Sequence, residues 1–324
     1  MTRRVSVFAP ATIANLGPGF DAIGLALESP GDRATALRRA EPGLEFRLVD
    51  PSGAVPRDEA RNVAAHVASA LLAEARPGFG IRLTLHKRMP VGSGLGSSSA
   101  SAVAALVAVN ALLPKPLRRA DLLRFAVEGE RLASGAPHAD NVAPCLLGGV
   151  QIVLSGDPPI VVPVPYIDRI RWVVVHPTAV IETRMARRRI PGRLELADAV
   201  SQWAHVAALV AGLGRGDAAT VGRALVDRVA EPARAPLIPG FQAVREAALA
   251  AGAFGLSISG SGPSLFAVAD SDASALRVGR AMVRAFRTAG NVAAKAWVSR
   301  INRHGARIER GTSSQGPPSA RRPR

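Results

Sequence analysis

Residues 90 to 102 read PVGSGLGSSSASA, and an apolar run from Val103 to Leu113 follows without a break. Upstream, IRLTLHK (residues 81 to 87) alternates Ile81, Leu83 and Leu85 with Arg82, Thr84 and His86, the period of two of a half-buried strand. Downstream, SAVAALVAVNALL has no breaker before Pro114 and reads as a buried helix, with the serines as N-cap candidates. A strand, a glycine-rich loop and a helix in succession turn backbone N–H groups and a helix N-terminus toward an anion, and phosphate is the natural guest. A flexible linker would not run straight into a dozen apolar helix formers.

The familiar phosphate loops do not fit. A lysine-bearing loop needs G-x-x-x-x-G-K-[ST], and none of the three lysines, Lys87, Lys115 and Lys295, follows a glycine loop. The dinucleotide fingerprint fails because its third glycine falls on Ser97 or Ser99. No G-x-S-x-G stretch supports a hydrolase nucleophile elbow. What remains is a cradle of N–H groups and serine hydroxyls whose guest is neutralised by a metal ion, and Mg²⁺, which takes one or two protein oxygens together with phosphate oxygens and water, suits that role.

The rest of the chain reads as mixed α and β structure. LEFRLVD (44 to 50) and GGVQIVLS (148 to 155) are further strands, and residues 60 to 75 and 121 to 134 further helices. The proline-dense GDPPIVVPVP (156 to 165) marks a domain boundary, predicting one domain over 1–160 and a second over 161–302. The second half offers IRWVVVHP, alanine-rich helices between 195 and 230, then GLSIS, LFAVAD, a helix from Ser271 to Thr288 and VAAKAWVS. That order suggests the split βαβ layer of a ferredoxin-like fold.

Composition narrows the function classes. The chain has 324 residues, 48% of them hydrophobic and 20% charged. No apolar run reaches the roughly 18 residues of a membrane span, and the N-terminus is too broken by Pro10, Asn15, Gly17 and Pro18 for a signal peptide, so a cytoplasmic protein with no membrane partner is expected. The lone Cys145 rules out an internal disulfide and paired-cysteine metal sites. A net charge of +16 invites a nucleic-acid reading, but aromatics are only 4%, so stacking platforms are scarce and no nucleic-acid partner is expected. Part of the charge sits in residues 303–324, a Pro/Ser/Gly/Arg-rich stretch read as a disordered basic tail.

PVGSGLGSSS resembles the P-x-x-x-G-L-G-S-S motif of the GHMP small-molecule kinases. PATIANLGPGFDAIGLAL (10 to 27) is similar to the N-terminal motif of the homoserine kinases within that family, and FGLSISGSGPSLFAV (254 to 268) to its C-terminal glycine motif. The motifs are far apart and in family order, and the resemblance covers about residues 5 to 300. It implies an α+β, two-domain fold, an N-terminal ribosomal S5 domain 2-like domain followed by a ferredoxin-like one. It also implies transfer of the γ-phosphoryl group of ATP, with Mg²⁺, to the hydroxyl of L-homoserine by a homodimeric enzyme.

The resemblance further implies individual roles. The loop Pro90, Val91, Gly92, Ser93, Gly94, Leu95, Gly96, Ser97, Ser98 and Ser99 would wrap the phosphates, with Ser98 and Glu130 on Mg²⁺ and Asn62 and Lys87 at the adenine pocket. Arg187 and Arg234 would clamp the substrate carboxylate, through the two-pronged geometry that makes arginine suited to it. Asn15, Asp21, His138 and Asp140 would meet the ammonium and hydroxyl, and Asn141 and Thr183 would stand at the reacting centre. Each has a plainer reading: Asn15 and Asp21 as turn residues, Glu130 as a solvated helix charge, Asn62 and Lys87 as surface residues. His138 with Asp140 lacks the further ligands of a zinc site. The stretch IETRMARRRIP is more arginine-rich than the family usually shows, which leaves the choice among Arg184, Arg187 and Arg188 open.

Mevalonate kinase-like relatives carry an aspartate where this chain has Asn141, and an amide is no useful base at neutral pH. The expectation is catalysis by positioning and charge stabilisation. The alternatives are a GHMP kinase for mevalonate or a sugar, against which NLGPGFD and HADN weigh, and a binding protein without turnover.

Overall fold

The computed structural model describes residues 4–309. In chain order the elements are β1 (Arg4–Ala14), β2 (Ile23–Arg39), β3 (Leu44–Val49), α1 (Val63–Ala75), β4 (Gly80–His86), α2 (Ser97–Asn110), α3 (Leu123–Ser134), α4 (Val142–Leu147), β5 (Val150–Leu154) and β6 (Ile160–Val164). There follow β7 (Arg171–Pro177), α5 (Thr183–Arg188), α6 (Leu196–Arg215), α7 (Ala218–Ala224), α8 (Glu231–Arg234), α9 (Phe241–Ala250), β8 (Gly255–Ile258), β9 (Leu265–Ala269), α10 (Asp272–Thr288), β10 (Ala294–Ser299) and β11 (Arg307–Glu309).

The first sheet has the order β11-β1-β2-β4-β3, with β5 paired to the start of β2 and β6 to β5. Only β3 and β4 run parallel. β1 is buried over almost its whole length, so it lacks the in-out alternation that marks a strand in sequence, and β2 swings from β5 to β4 along its 17 residues. α2 is the central helix beneath this sheet, its apolar residues buried all round, which fits its lack of amphipathic patterning.

The second sheet is antiparallel with order β10-β7-β9-β8. With helices between β7 and β8 and α10 between β9 and β10, this is the expected ferredoxin-like layer. α9 and α10 bury Val244, Val278, Met282 and Phe286 on one face. The other face places Trp172, Val174, Phe266 and Val268 in one continuous core with Leu209, Leu213, Val221 and the first sheet. Burial of that extent makes the two halves pack as one unit around the crevice between them.

Three expectations need correction. The proline-dense stretch is not a bare boundary: β6 pairs with β5, so the first sheet extends to Val164, on an edge strand where Pro163 costs no ladder bond inside the sheet. The tail does not begin at residue 303. β11 pairs with β1, Arg33 meets Glu309 at 2.8 Å, and Arg119 donates to the carbonyls of Leu146, His304 and Ala306. Three residues of backbone pairing leave no periodicity for a sequence reading to find, and the remainder of the tail, residues 310–324, lies outside the described residues. Finally, α6 is long and apolar enough, by length and composition, to cross a membrane. Its polar residues are dispersed between apolar ones, and Gln202 is buried, donating to the Pro18 carbonyl and Asp227 beneath the Asn15–Asp21 loop.

Candidate active site

The three motifs meet in space. Ser259 Oγ donates to Gly94 O (2.7 Å), Ser264 N to Ser93 O (3.2 Å), Gly260 N to Ala14 O (3.2 Å) and Thr12 N to Leu95 O (3.1 Å). This close backbone contact explains the glycines at two positions. A Cβ on Gly94 would stand 2.3 Å from Ser259 O, and one on Gly96 would stand 2.0 Å from Thr12 Oγ1 and 2.8 Å from Asn141 Oδ1; both glycines also have positive φ. Gly96 is the N-cap of α2 and supplies no side-chain acceptor, so the first-turn N–H groups stay available to an anion.

The loop forms one wall of a cavity of about 560 Å³, a size typical of small-molecule sites. Val91, Gly92, Ser93, Gly94, Gly96, Ser97 and Ser98 line it, with Val55, Pro56 and Asn62 at the α1 end and Asn141, Thr183 and Ser261 at the other. Pro90, Leu95 and Ser99 do not line it. Leu95 is buried in the core, and Ser99 turns its hydroxyl to Glu130.

The wall residues Asn62 and Lys87 are buried rather than superficial, and their polar ends are occupied. Asn62 caps α1, its Oδ1 accepting from Ala64 N (3.0 Å), while its Nδ2 donates to Pro56 O (2.8 Å). Lys87 Nζ donates to Asp32, to Ser97 O (2.8 Å) and to Ser101 Oγ (3.0 Å), which spends all three ammonium protons. Asp32 in turn accepts from the backbone N–H groups of Arg88 and Met89. Lys87 lines the cavity as expected, with its ammonium held in a buried ion pair that ties β2 and the end of β4 to the first turn of α2.

Glu130 is buried, not a solvated helix charge. Its Oε2 accepts from Ser98 Oγ (3.3 Å) and Ser99 Oγ (3.1 Å), and burial pushes its carboxyl above the ordinary range because only hydroxyls face it. Ser98 and Glu130 thus offer hard oxygens at the loop. Among the described residues no cluster of three or more His, Cys, Asp or Glu could cage a metal, so these two fit an ion that completes its shell with phosphate and water.

The acceptor residues gather beyond Thr183 and Gly260. Arg187 Nη2 donates to both Asp21 oxygens (2.7 and 2.9 Å), and His138 Nδ1 stands 3.6 Å from Asp21. Arg234 is buried and donates to Gly260 O (2.8 Å), and both arginines lie over the Phe20 ring. Asn15 joins the same carbonyl through Nδ2 (3.2 Å) and accepts Asp21 N through Oδ1. The loop holds these groups by positive φ at Asn15, Leu16 and Asp21, so the turn reading and the site reading are both realised. Asp140 is buried, and burial, with Asp21 and Glu130 adding repulsion, pushes its carboxyl up to about 7. Burial lowers His138 against the opposing pull of Asp21. Buried His138 Nε2, Arg234 Nε and Ser97 Oγ have no hydrogen-bond partner in the protein, as expected of groups that await a polar ligand.

Family models for the GHMP kinases N terminal domain and the GHMP kinases C terminal match residues 62–149 and 209–288. A homoserine kinase of Chlorobium phaeobacteroides is 42% identical over 318 residues, covering 94% of this chain and 99% of the relative. A homoserine kinase of Chlorobium phaeovibrioides is 44% identical over the same length and the same shares. The chain belongs to the homoserine kinases of the GHMP kinase family. The crystal structure of a homoserine kinase from Cytophaga hutchinsonii superposes with a TM-score of 0.90 at 43% identity, covering 95% of this chain and 98% of that one. The fold and the use of ATP follow from that membership.

Within this homoserine kinase framework, two hydroxyls at the site escape a reading of the motifs alone. Thr12 Oγ1 donates to Asn141 Oδ1 at 2.6 Å, and Ser261 Oγ meets Thr183 Oγ1 at 3.3 Å. Both sit inside quoted motifs, where a hydroxyl touching a distant side chain looks like any other. Of the three arginines left open in the arginine-rich stretch, Arg187 pairs with Asp21, while Arg184 and Arg188 are both exposed and Arg184 lines the cavity.

Proposed function

We propose that this kinase phosphorylates L-homoserine, with Mg²⁺ held by Ser98 and Glu130. The observation that carries the reading is the acceptor cluster: two arginines and two carboxylates, Asp21 and Asp140, beside His138 and Asn15. A zwitterion with a side-chain hydroxyl matches it, its carboxylate on Arg187 and Arg234 and its ammonium on Asp140 and Asp21. Asp140 has no cation within ion-pair distance among the described residues, and an incoming ammonium would supply one.

Asn15 and Asp21 would orient the hydroxyl, while Asn141, fixed by Thr12, and Thr183, fixed by Ser261, flank the transfer path. The acceptor oxygen forms its bond to the γ-phosphorus as the bond to the bridging oxygen breaks, the electron pair leaves with ADP, and the hydroxyl proton departs to water. No side chain at Asn141 can take that proton, which supports catalysis by alignment and charge stabilisation. The metal, when bound, neutralises phosphate charge; loop N–H groups and serine hydroxyls orient the phosphates around it. The reading includes a cytoplasmic homodimer with neither membrane nor nucleic acid as partner, to be checked by sedimentation.

The test is phosphate transfer from ATP to L-homoserine, mevalonate and galactose. Turnover with homoserine far above the other two is expected, and preference for either of those would overturn the substrate assignment. Absence of turnover with all three, together with salt-sensitive DNA binding, would favour a binding protein instead.

A further inference from the structure

We propose that Arg184 is the protein cation that meets the transferred phosphoryl group, supplying from α5 the charge that a lysine supplies in lysine-bearing phosphate loops. Phosphoryl transfer spreads negative charge over the equatorial oxygens, and an arginine reaching them in the same chain is an efficient way to stabilise it. The loop itself carries no cation. Lys87, the one lysine on the cavity wall, has its donors committed to Asp32, Ser97 O and Ser101. Arg187 and Arg234 do not line this cavity: they stand at the acceptor end, beside Asp21 and the Gly260 carbonyl, where the proposed function gives them the substrate carboxylate.

Two arginines remain on the cavity wall, Arg61 and Arg184, and neither side chain has a hydrogen bond or ion pair among the described residues. Arg61 stands next to Asn62 at the α1 end, away from the acceptor cluster. Arg184 directly follows Thr183, whose hydroxyl meets Ser261 where the nucleotide cavity opens toward the acceptor residues. Its guanidinium lies over Gly135, the C-cap that ends α3 one turn beyond Glu130. The contact is an ordinary one, since even a Cβ on Gly135 would stand 3.5 Å from Arg184 Nε, and the glycine answers to the left-handed φ of the cap. A planar fork of donors, unpaired and on the same cavity wall as Glu130, Thr183 and Ser261, suits the oxygens of a γ-phosphoryl group.

The proposal rests on the loop half of the cavity holding the triphosphate, and the experiment separates the two. Affinities for a non-hydrolysable ATP analogue and for ADP are measured by calorimetry with Mg²⁺, alongside kcat, for Arg184→Ala, Arg184→Lys, Arg188→Ala and Ser98→Ala. Arg184→Ala is expected to lower kcat about 100-fold and weaken the analogue about tenfold, the worth of one charged hydrogen-bonding partner, with ADP affinity and the melting temperature unchanged. Arg184→Lys recovers part of both losses, and Arg188→Ala behaves as wild type. If Arg184→Ala keeps its kcat and its preference for the analogue over ADP while Ser98→Ala weakens nucleotide binding, Arg184 has no such role. If neither Arg184→Ala nor Ser98→Ala alters nucleotide binding, the triphosphate lies elsewhere and the proposal falls with it.

Discussion

The two ends of the candidate site are built on different physics. The loop end is built of backbone and neutral hydroxyls: glycines packed against Thr12 and the Ser259–Gly262 turn, a helix N-terminus, and one buried carboxylate. The acceptor end is built of charged side chains drawn from four distant segments, Asp21, His138 with Asp140, Arg187 of α5 and Arg234 of α8. In the proposed function a backbone cradle would bind the phosphates that any member of the family must hold, whereas opposed charges in a partly buried cluster would select one acceptor. On that reading this kinase separates its general chemistry from its specificity along one crevice.

Removing the carboxylate of the loop end should break the division most severely. Glu130→Gln keeps volume and serine contacts but loses the negative charge; kcat is expected to fall about 1,000-fold, with an unchanged circular dichroism spectrum. Activity close to wild type would remove Glu130 from the metal. At the other end, Arg234→Ala should raise the homoserine KM about 100-fold and leave the ATP KM as it was, with thermal denaturation run alongside to separate binding from folding. An equal rise in both constants would show that the two ends are not separable.

A pH profile sharpens the comparison further. Ammonium binding needs ionised Asp140, whose carboxyl burial pushes up to about 7, so the homoserine KM should rise roughly tenfold per unit as pH falls below 7. The same shift has a stability consequence of definite sign. Asp140 holds its proton in the folded state and releases it more readily when unfolded, so stability declines as pH rises from about 4 to 7. Asp140→Asn should flatten both dependences, bind homoserine poorly, and melt higher than wild type at pH 8. The smallest expected effect is at the junction of the two ends. Thr12→Val removes the 2.6 Å bond to Asn141 and should lower kcat a few fold, about what one neutral hydrogen bond is worth, with both KM values retained.

The same contrast governs what the sequence discloses. The loop was legible because backbone recognition imposes residue types at fixed local spacing: Gly94 and Gly96 cannot carry a Cβ, and Ser97 must open a helix. The acceptor end has no local spacing, since Asp21 and Arg187 are joined only by folding, and resemblance alone named its members. Lys87 and Asn62 show the limit of that route. Both lie on the expected wall, yet the Asn62 side chain is taken up by the cap of α1 and that of Lys87 by Asp32, the latter a contact invisible until β2 and β4 are paired. β1 and β11 escaped for a related reason: a strand buried on both faces and a three-residue edge carry no alternation.

The central claim, that opposed charges at the acceptor end select a zwitterion, is tested most directly by kcat/KM for L-homoserine, for 3-aminopropan-1-ol, which lacks the carboxylate, and for 4-hydroxybutanoate, which lacks the ammonium. The structure predicts that homoserine exceeds each by about 100-fold or more, and that Arg234→Ala erases its advantage over 3-aminopropan-1-ol alone. Equal kcat/KM for homoserine and either truncated alcohol would contradict the account.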